Sequence, residues 1–116
     1  MSVFVDDMEA QFGRMTMCHM VADTDEELLA MADTIGVPRK WHQAPPAHDS
    51  HFDICLSKRK LAVAAGAVQI TLRQLAAMNF RRRQTCELGD PADAIEWLEY
   101  FWKVRREARL EKENES

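Results

Sequence analysis

The sequence predicts a compact α/β fold: a single-layer sheet of three to four mainly parallel strands covered by helices, plus a long C-terminal helix. Three observations carry this expectation. Stretches of strand and helix patterning alternate along the chain, which favours helices packed on a parallel sheet. Met15 to Ala22 (MTMCHMVA) is apolar on both alternating faces, as in a central strand covered on both sides. Residues 57–70 read as a helix that turns directly into a short β-run, half of an α/β crossover unit.

Val3-Phe4-Val5 opens the chain as a β-branched and aromatic run ending in Asp6-Asp7, and Gly13 marks a turn before the Met15–Ala22 strand. Thr24-x-x-Glu27 is a capping box, and Asp25, Glu26 and Glu27 supply the charge that the first turn of a helix favours. Leu28, Met31, Ala32 and Ile35 form its buried stripe; Gly36 and Pro38 end it. Residues 39–43 read as a short strand, and residues 44–50, with two prolines, as a loop. Ser57 caps the next helix, whose Leu61, Ala64 and Ala65 share a face; Gly66 closes it. Residues 67–70 are a β-run, and Thr71-x-x-Gln74 is a second capping box. Asp90-Pro91 starts the last helix, which runs to about Lys112. The organisation expected is a small α/β domain over residues 1–80, followed by a basic linker and a long amphipathic helix over 81–116 in the same globular unit.

Composition sets bounds on function. Hydrophobic residues make up 47% and charged residues 29% of the 116, the balance of a globular chain rather than a disordered one. No apolar run approaches the ~20 residues of a membrane span, and no signal-peptide pattern opens the chain. Three cysteines with no C-x-x-C pair point to free thiols rather than a disulfide frame or a thiolate zinc knuckle. A cytoplasmic location is expected. The net charge of −4 hides a segregation: residues 1–38 carry eight acids and one base, 39–83 nine bases and two acids, and 84–116 nine acids and five bases. The basic middle is either a nucleotide or nucleic-acid face or the partner of the acidic ends in internal pairing. Only Trp41, beside Arg39-Lys40, interleaves an aromatic with it.

The residues that could carry chemistry are polar groups around the strands and the proline loop. Asp6 and Asp7 follow a strand, where α/β proteins commonly meet ligands, and paired carboxylates can hold a divalent cation. The alternative is that one caps the following turn. His19 is an ionisable group in a buried strand, either hydrogen-bonded in the core or a ligand or general base. His42, His48 and His51 lie within ten residues of one another, with Asp49 and Asp53 close by. His51-x-Asp53 would present an imidazole and a carboxylate together if extended. With Asp6, Asp7 and His19 this makes a mixed N/O set suited to Zn, Mn or Fe, or a His–Asp acid/base pair. The candidate catalytic residues are His19, His51 and Asp53. The candidate metal ligands are Asp6, Asp7, His51 and Asp53. Arg39, Trp41 and His42 are candidates for holding a cofactor or nucleotide.

Several blocks occur in a definite order: Val-Phe-Val-Asp-Asp, Cys-His-Met-Val-Ala-Asp, Trp-His, His-Phe-Asp-Ile and Ala-Gly-Ala-Val-x-Ile-Thr. In this the chain resembles an uncharacterised family of phage and bacterial proteins, the domain of unknown function DUF4031, over about residues 3–78. The resemblance implies a phage or prophage context and no activity. Its polar blocks fall here on Asp6, Asp7, His19, Asp23, Trp41, His42, His51 and Asp53.

Two function classes follow. One is a small metal-dependent hydrolase or nuclease-like enzyme that binds a phosphate-containing ligand through the basic segment 39–83. The other is a non-catalytic phage accessory protein, host-directed or anti-defence, that binds a host protein or a nucleotide. The last helix places Ile95, Leu98, Phe101 and Trp102 on one stripe and Trp97, Phe101, Val104 and Ala108 on another. With Tyr100, Trp97, Phe101 and Trp102 form an aromatic surface suited to a homodimer or a host partner, with self-packing as the alternative.

Overall fold

The computed structural model describes residues 2–115. Among these, five strands form one sheet: β1 (Val3–Val5), β2 (Ala10–Phe12), β3 (Met15–Ala22), β4 (Phe52–Cys55) and β5 (Val68–Gln69). β3 is its spine. One edge of β3 pairs antiparallel with β4, from Met17↔Cys55 to Met20↔Phe52. The other edge takes β1 beside residues 20–22 and β2 beside residues 15–17, both antiparallel. Only β5 runs parallel, against β1. The sheet is therefore five-stranded and mostly antiparallel, which corrects the expectation of three or four mainly parallel strands. The physical reason lies in the connections. β2 folds straight back onto β3 through a two-residue turn with Gly13 at φ +62°, and that geometry produces antiparallel neighbours. Only the α2 connection delivers a strand in parallel.

Helices α1 (Asp25–Ile35) and α2 (Leu56–Ala64) cover one face of the sheet; α3 (Leu72–Thr85) and the start of α4 (Pro91–Asn114) cover the other. Side-chain alternation along the strands divides the core accordingly. Val5, Cys18, Met20, Phe52 and Ile54 pack with Leu28, Ala32 and Ile35 of α1 and Ala62 of α2. Phe4, Val21 and Ile70 pack with Leu75, Ala77 and Met78 of α3 and Ala94 of α4.

The helix-start chemistry forms as the sequence implies. The Thr24 hydroxyl accepts from the Glu27 amide, Thr71 and Gln74 make a reciprocal capping box, and Asp90 accepts from the Ala92 amide ahead of Pro91. Gly36 takes the left-handed conformation that ends α1. Other expectations change. Residues 39–43 are not a strand: Arg39–Trp41 is a 3-10 turn, and only Gln43 bridges to His51. Phe52–Cys55, between the proline loop and the helix, is a strand not anticipated from the sequence. α2 starts at Leu56, with Cys55 rather than Ser57 at its cap position. It buries Ala62 instead of the Leu61, Ala64, Ala65 face, and Leu61 is 50% exposed.

Arg81, Arg82 and Arg83 lie in the last turns of α3, not in a linker. Arg81 organises the α3–α4 corner by donating to the Leu88 and Asp90 carbonyls and the Asp93 carboxylate. A Cβ on Gly89 would collide with that guanidinium. Beyond the corner, Phe80 meets Trp97, Phe101 and Trp102 at centroid distances of 6.2, 5.1 and 5.4 Å. From Trp102 onward every described residue of α4 is exposed, and the helix projects beyond the body. The long axis is 58 Å against 28 and 24 Å, and the radius of gyration is 16.5 Å. A compact chain of this length would have a radius near ~13 Å. Among the described residues no helix is long and apolar enough to cross a membrane, and Cys18, Cys55 and Cys86 are free thiols.

Candidate metal centre

The site begins where β1 leaves the ladder. The Asp6 amide still donates to the His19 carbonyl at 3.1 Å, as the next rung would. The return bond is different: the His19 amide donates to Asp6 Oδ1 at 2.8 Å, so a side-chain carboxylate replaces a backbone carbonyl. Asp6 Oδ2 lies 2.7 Å from His19 Nδ1, and Oδ1 also takes the Met8 amide at 3.3 Å. The freed Asp6 carbonyl accepts from Arg59 Nε of α2 at 2.8 Å. Asp6 is fully buried, and burial alone would push its carboxyl up. The hydrogen bonds from the His19 ring and amide outweigh that and hold it below its ordinary value. The same contact raises the His19 imidazole above its ordinary value, against burial that lowers it.

This arrangement sets the tautomer of His19. With Nδ1–H donated to Asp6, the Nε2 lone pair of the neutral ring faces outward from the sheet. Across the ladder stands Asp53, the register partner of His19 on β4, with Oδ1 3.8 Å from His19 Nε2. Two residues earlier on the same face, His51 places Nε2 3.5 Å from the same Oδ1. His51 Nδ1 donates to the Asp49 carbonyl at 2.6 Å, and Gln43 Nε2 donates to Asp53 Oδ2 at 2.8 Å. Two imidazole nitrogens and one carboxylate oxygen thus converge, all within 4.8 Å of one another. Each candidate ligand has its far end held: His19 by Asp6, His51 by a carbonyl and Asp53 by Gln43. That is the outer-shell bonding by which metal-ligating residues are oriented. The 3.5 and 3.8 Å separations are slightly wider than the ~3.4 Å edge of a tetrahedron with bonds of ~2.1 Å. Asp53 is 40% exposed, so the cluster is open to solvent.

The other residues singled out in the sequence lie elsewhere. Asp7 does not join the cluster; its carboxylate accepts from the Leu72 amide at 2.7 Å and caps α3. Asp6 orients His19 instead of pointing at the shared space. Arg39, Trp41 and His42 do not form a common site. Arg39 pairs with Asp33 at 2.7 Å, Trp41 is 59% exposed with Lys40 above its ring, and His42 stacks on Phe52 at 5.2 Å. His42 Nε2 also meets Ser50 Oγ at 2.7 Å, while that hydroxyl donates to Asp25 at 2.5 Å. Ser50 is buried, so this His–Ser–Asp chain ties the loop to α1 and offers no nucleophile. Much of the basic middle is spent internally, with Arg39 on Asp33, Arg73 on Glu99 and Arg81 on Asp93.

Sequence reasoning missed two supports. Gln43 gave no signal beyond its nearness to the histidine loop. Arg82 gave only its charge, yet Nε donates to the His48 carbonyl and Nη2 to the Ser50 carbonyl, on either side of the Asp49 carbonyl that holds His51. Arg82 is thus the clamp that sets the His51-bearing segment against α3.

No curated protein and no solved structure matches the chain. The family model for "Protein of unknown function (DUF4031)" matches residues 3–82, a span that contains β1 to β5, the three clustered side chains, and Asp6, Gln43 and Arg82 that hold them in place. The chain belongs to the DUF4031 family.

Proposed function

We propose that His19, His51 and Asp53 bind a divalent transition metal such as Zn, Mn or Fe, and that the protein is a metal-dependent hydrolase or nuclease-like enzyme acting on a phosphate-containing ligand. The observation that carries this reading is the convergence of two Nε2 atoms and Asp53 Oδ1 with each far end already hydrogen-bonded. Two histidines and one carboxylate suit an imidazole- and oxygen-preferring metal and leave coordination positions open. A metal held there by His19, His51 and Asp53 would lower the pKa of a bound water and so make it a nucleophile. In this scheme Asp6 keeps the proton on His19 Nδ1, and Gln43 aims Asp53 Oδ1 inward. The test is elemental analysis after equilibration with Zn, Mn, Fe and Co, followed by hydrolysis of an activated phosphodiester. One metal per chain, lost in His51→Ala and in Asp53→Ala, is expected. No bound metal and no change in melting midpoint with any of the four would end this reading.

A second reading rests on α4: a non-catalytic, phage-derived accessory protein that acts by binding, through a homodimer or on a host protein. Its support is the exposed Tyr100 (68%), Trp102 (50%), Val104 and Leu110 on a helix that projects from the body. Helices this exposed gain most of their stability by packing. Sedimentation over a hundredfold range of concentration should give a dimer that Trp102→Ala dissociates; a monomer throughout would remove the homodimer.

A further inference from the structure

We infer that the cavity where β3 runs into α1 is a binding site for a phosphorylated sugar, free or as the ribose phosphate of a mononucleotide. The cavity has a volume of about 360 Å³ and lies between the amino end of α1, the 47–48 turn and the last turns of α3, a size typical of small-molecule sites. It is separate from the metal cluster. Ala22, in its wall, is three residues along β3 from His19, about 10 Å.

The lining sets basic groups on one wall against carboxylates on the other. Arg82 is 8% exposed, and among the described residues its guanidinium has no carboxylate within 4.0 Å. Nε and Nη2 donate to the His48 and Ser50 carbonyls and to Asn79 Oδ1, which leaves Nη1 as the guanidinium nitrogen without such a bond among the described residues. Burial lowers the Arg82 pKa, and the Asp49 and Asp25 carboxylates, beyond ion-pair distance, oppose that only in part. An anion in the cavity would meet two guanidinium groups, Arg82 and Arg83, in its lining. Arg83 and the His48 imidazole line the same space with no partner of their own among the described residues. On the facing wall Asp23 takes the Ser2 amide on Oδ2, and Asp25 takes the Ser50 hydroxyl on Oδ1. Among the described residues, the second oxygen of each takes no hydrogen bond.

That mixed wall selects the ligand. Bare phosphate would gain Arg82 and Arg83 but sit near two carboxylates, and a long polyanion would be repelled by them. A sugar phosphate satisfies both sides: its phosphate takes the guanidinium donors, and its hydroxyls donate to Asp23 and Asp25.

The test uses the full chain in EDTA, with ribose 5-phosphate, AMP, ribose and inorganic phosphate as probes in calorimetry and thermal melting. Ribose 5-phosphate or AMP at ten times its dissociation constant should raise the midpoint by about 5 °C. Ribose and inorganic phosphate should each bind at least about tenfold more weakly. Tighter binding of AMP than of ribose 5-phosphate would identify a nucleotide, and equal binding a sugar phosphate. Arg83→Ala should weaken binding about tenfold. Ala47→Trp, on an exposed turn, should abolish it by filling the cavity while leaving the unliganded midpoint unchanged. Asp53→Asn should have no effect, which separates this site from the metal cluster. Inorganic phosphate binding as tightly as ribose 5-phosphate, binding that survives Ala47→Trp, or no binding of either sugar phosphate would overturn the inference.

Discussion

Asp6→Asn is the substitution that most directly probes the site. The change keeps the shape of a fully buried side chain and removes its charge. Asn Oδ1 can still accept from the His19 and Met8 amides, which Asp6 Oδ1 takes now. The other atom becomes an NH2 group opposite His19 Nδ1–H, where Asp6 Oδ2 sits at 2.7 Å. Two donors then face each other. Losing one buried charge-assisted hydrogen bond costs about 1.5–3 kcal/mol, and weakening the two amide bonds brings the total to about 2–4 kcal/mol. Against a total stability of about 5–15 kcal/mol this is a large fraction.

The pH dependence of that loss has a definite sign. The His19 pKa is raised in the folded state, so its contribution is full below the ordinary 6.5 and disappears as pH rises through the folded value. The Asp6 pKa is lowered, so its contribution is present above the ordinary 3.8 and disappears as pH falls through the folded value. The substitution should therefore cost most near pH 5 and clearly less at pH 9. Urea denaturation in EDTA at the two pH values measures both quantities. A loss under about 1 kcal/mol at pH 5, or the same loss at pH 9, would refute the account of the Asp6–His19 pair.

Three further outcomes are expected. Metal binding requires an unprotonated His19 Nε2, so below the raised His19 pKa the affinity should fall about tenfold per pH unit; a cobalt titration followed by its visible absorption between pH 5 and 8 reads this, and a flat profile would show that His19 is not a ligand. Arg82→Met removes the clamp on the His48 and Ser50 carbonyls, so it should lower stability by about 2–4 kcal/mol and metal affinity by about tenfold, with Arg82→Lys recovering only part of either; competition against a chromogenic chelator, alongside urea melts, checks the pair. Gly89→Ala places a methyl group against the Arg81 guanidinium on a backbone at φ +73°, so a loss of about 2–4 kcal/mol is expected by thermal denaturation, and a neutral result would show that the α3–α4 corner can rearrange freely.

What the sequence by itself determined is local. The caps at Thr24, Thr71 and Asp90, the stop at Gly36, and the strands at β1 and β3 follow from hydrogen bonds and dihedral limits acting over a few residues. His19, His51 and Asp53 were also legible as a set, because the His51-x-Asp53 spacing points both side chains the same way once the segment is extended. Tertiary structure decided what local patterning cannot encode. β4 is four residues long and precedes a helix directly, so its alternation is too brief to separate from loop until β3 pairs with it across more than thirty residues. The phase of α2 was misread because Leu61, Ala62, Val63 and Ala64 are all apolar, and only the sheet beneath chooses Ala62. Strand direction followed the same rule: alternating strands and helices suggest crossovers, but which edge of β3 each strand meets depends on the whole core. The roles of Asp6 and Asp7 diverged for a similar reason. Adjacent side chains on an extended backbone point in opposite directions, so one enters the β1–β3 gap to hold His19 and the other reaches the first amide of α3, 65 residues away. Arg82 is the extreme case: as sequence it is one of three arginines in a row, and only the packing of α3 against the 48–50 segment makes it a buried clamp while Arg83 beside it stays exposed.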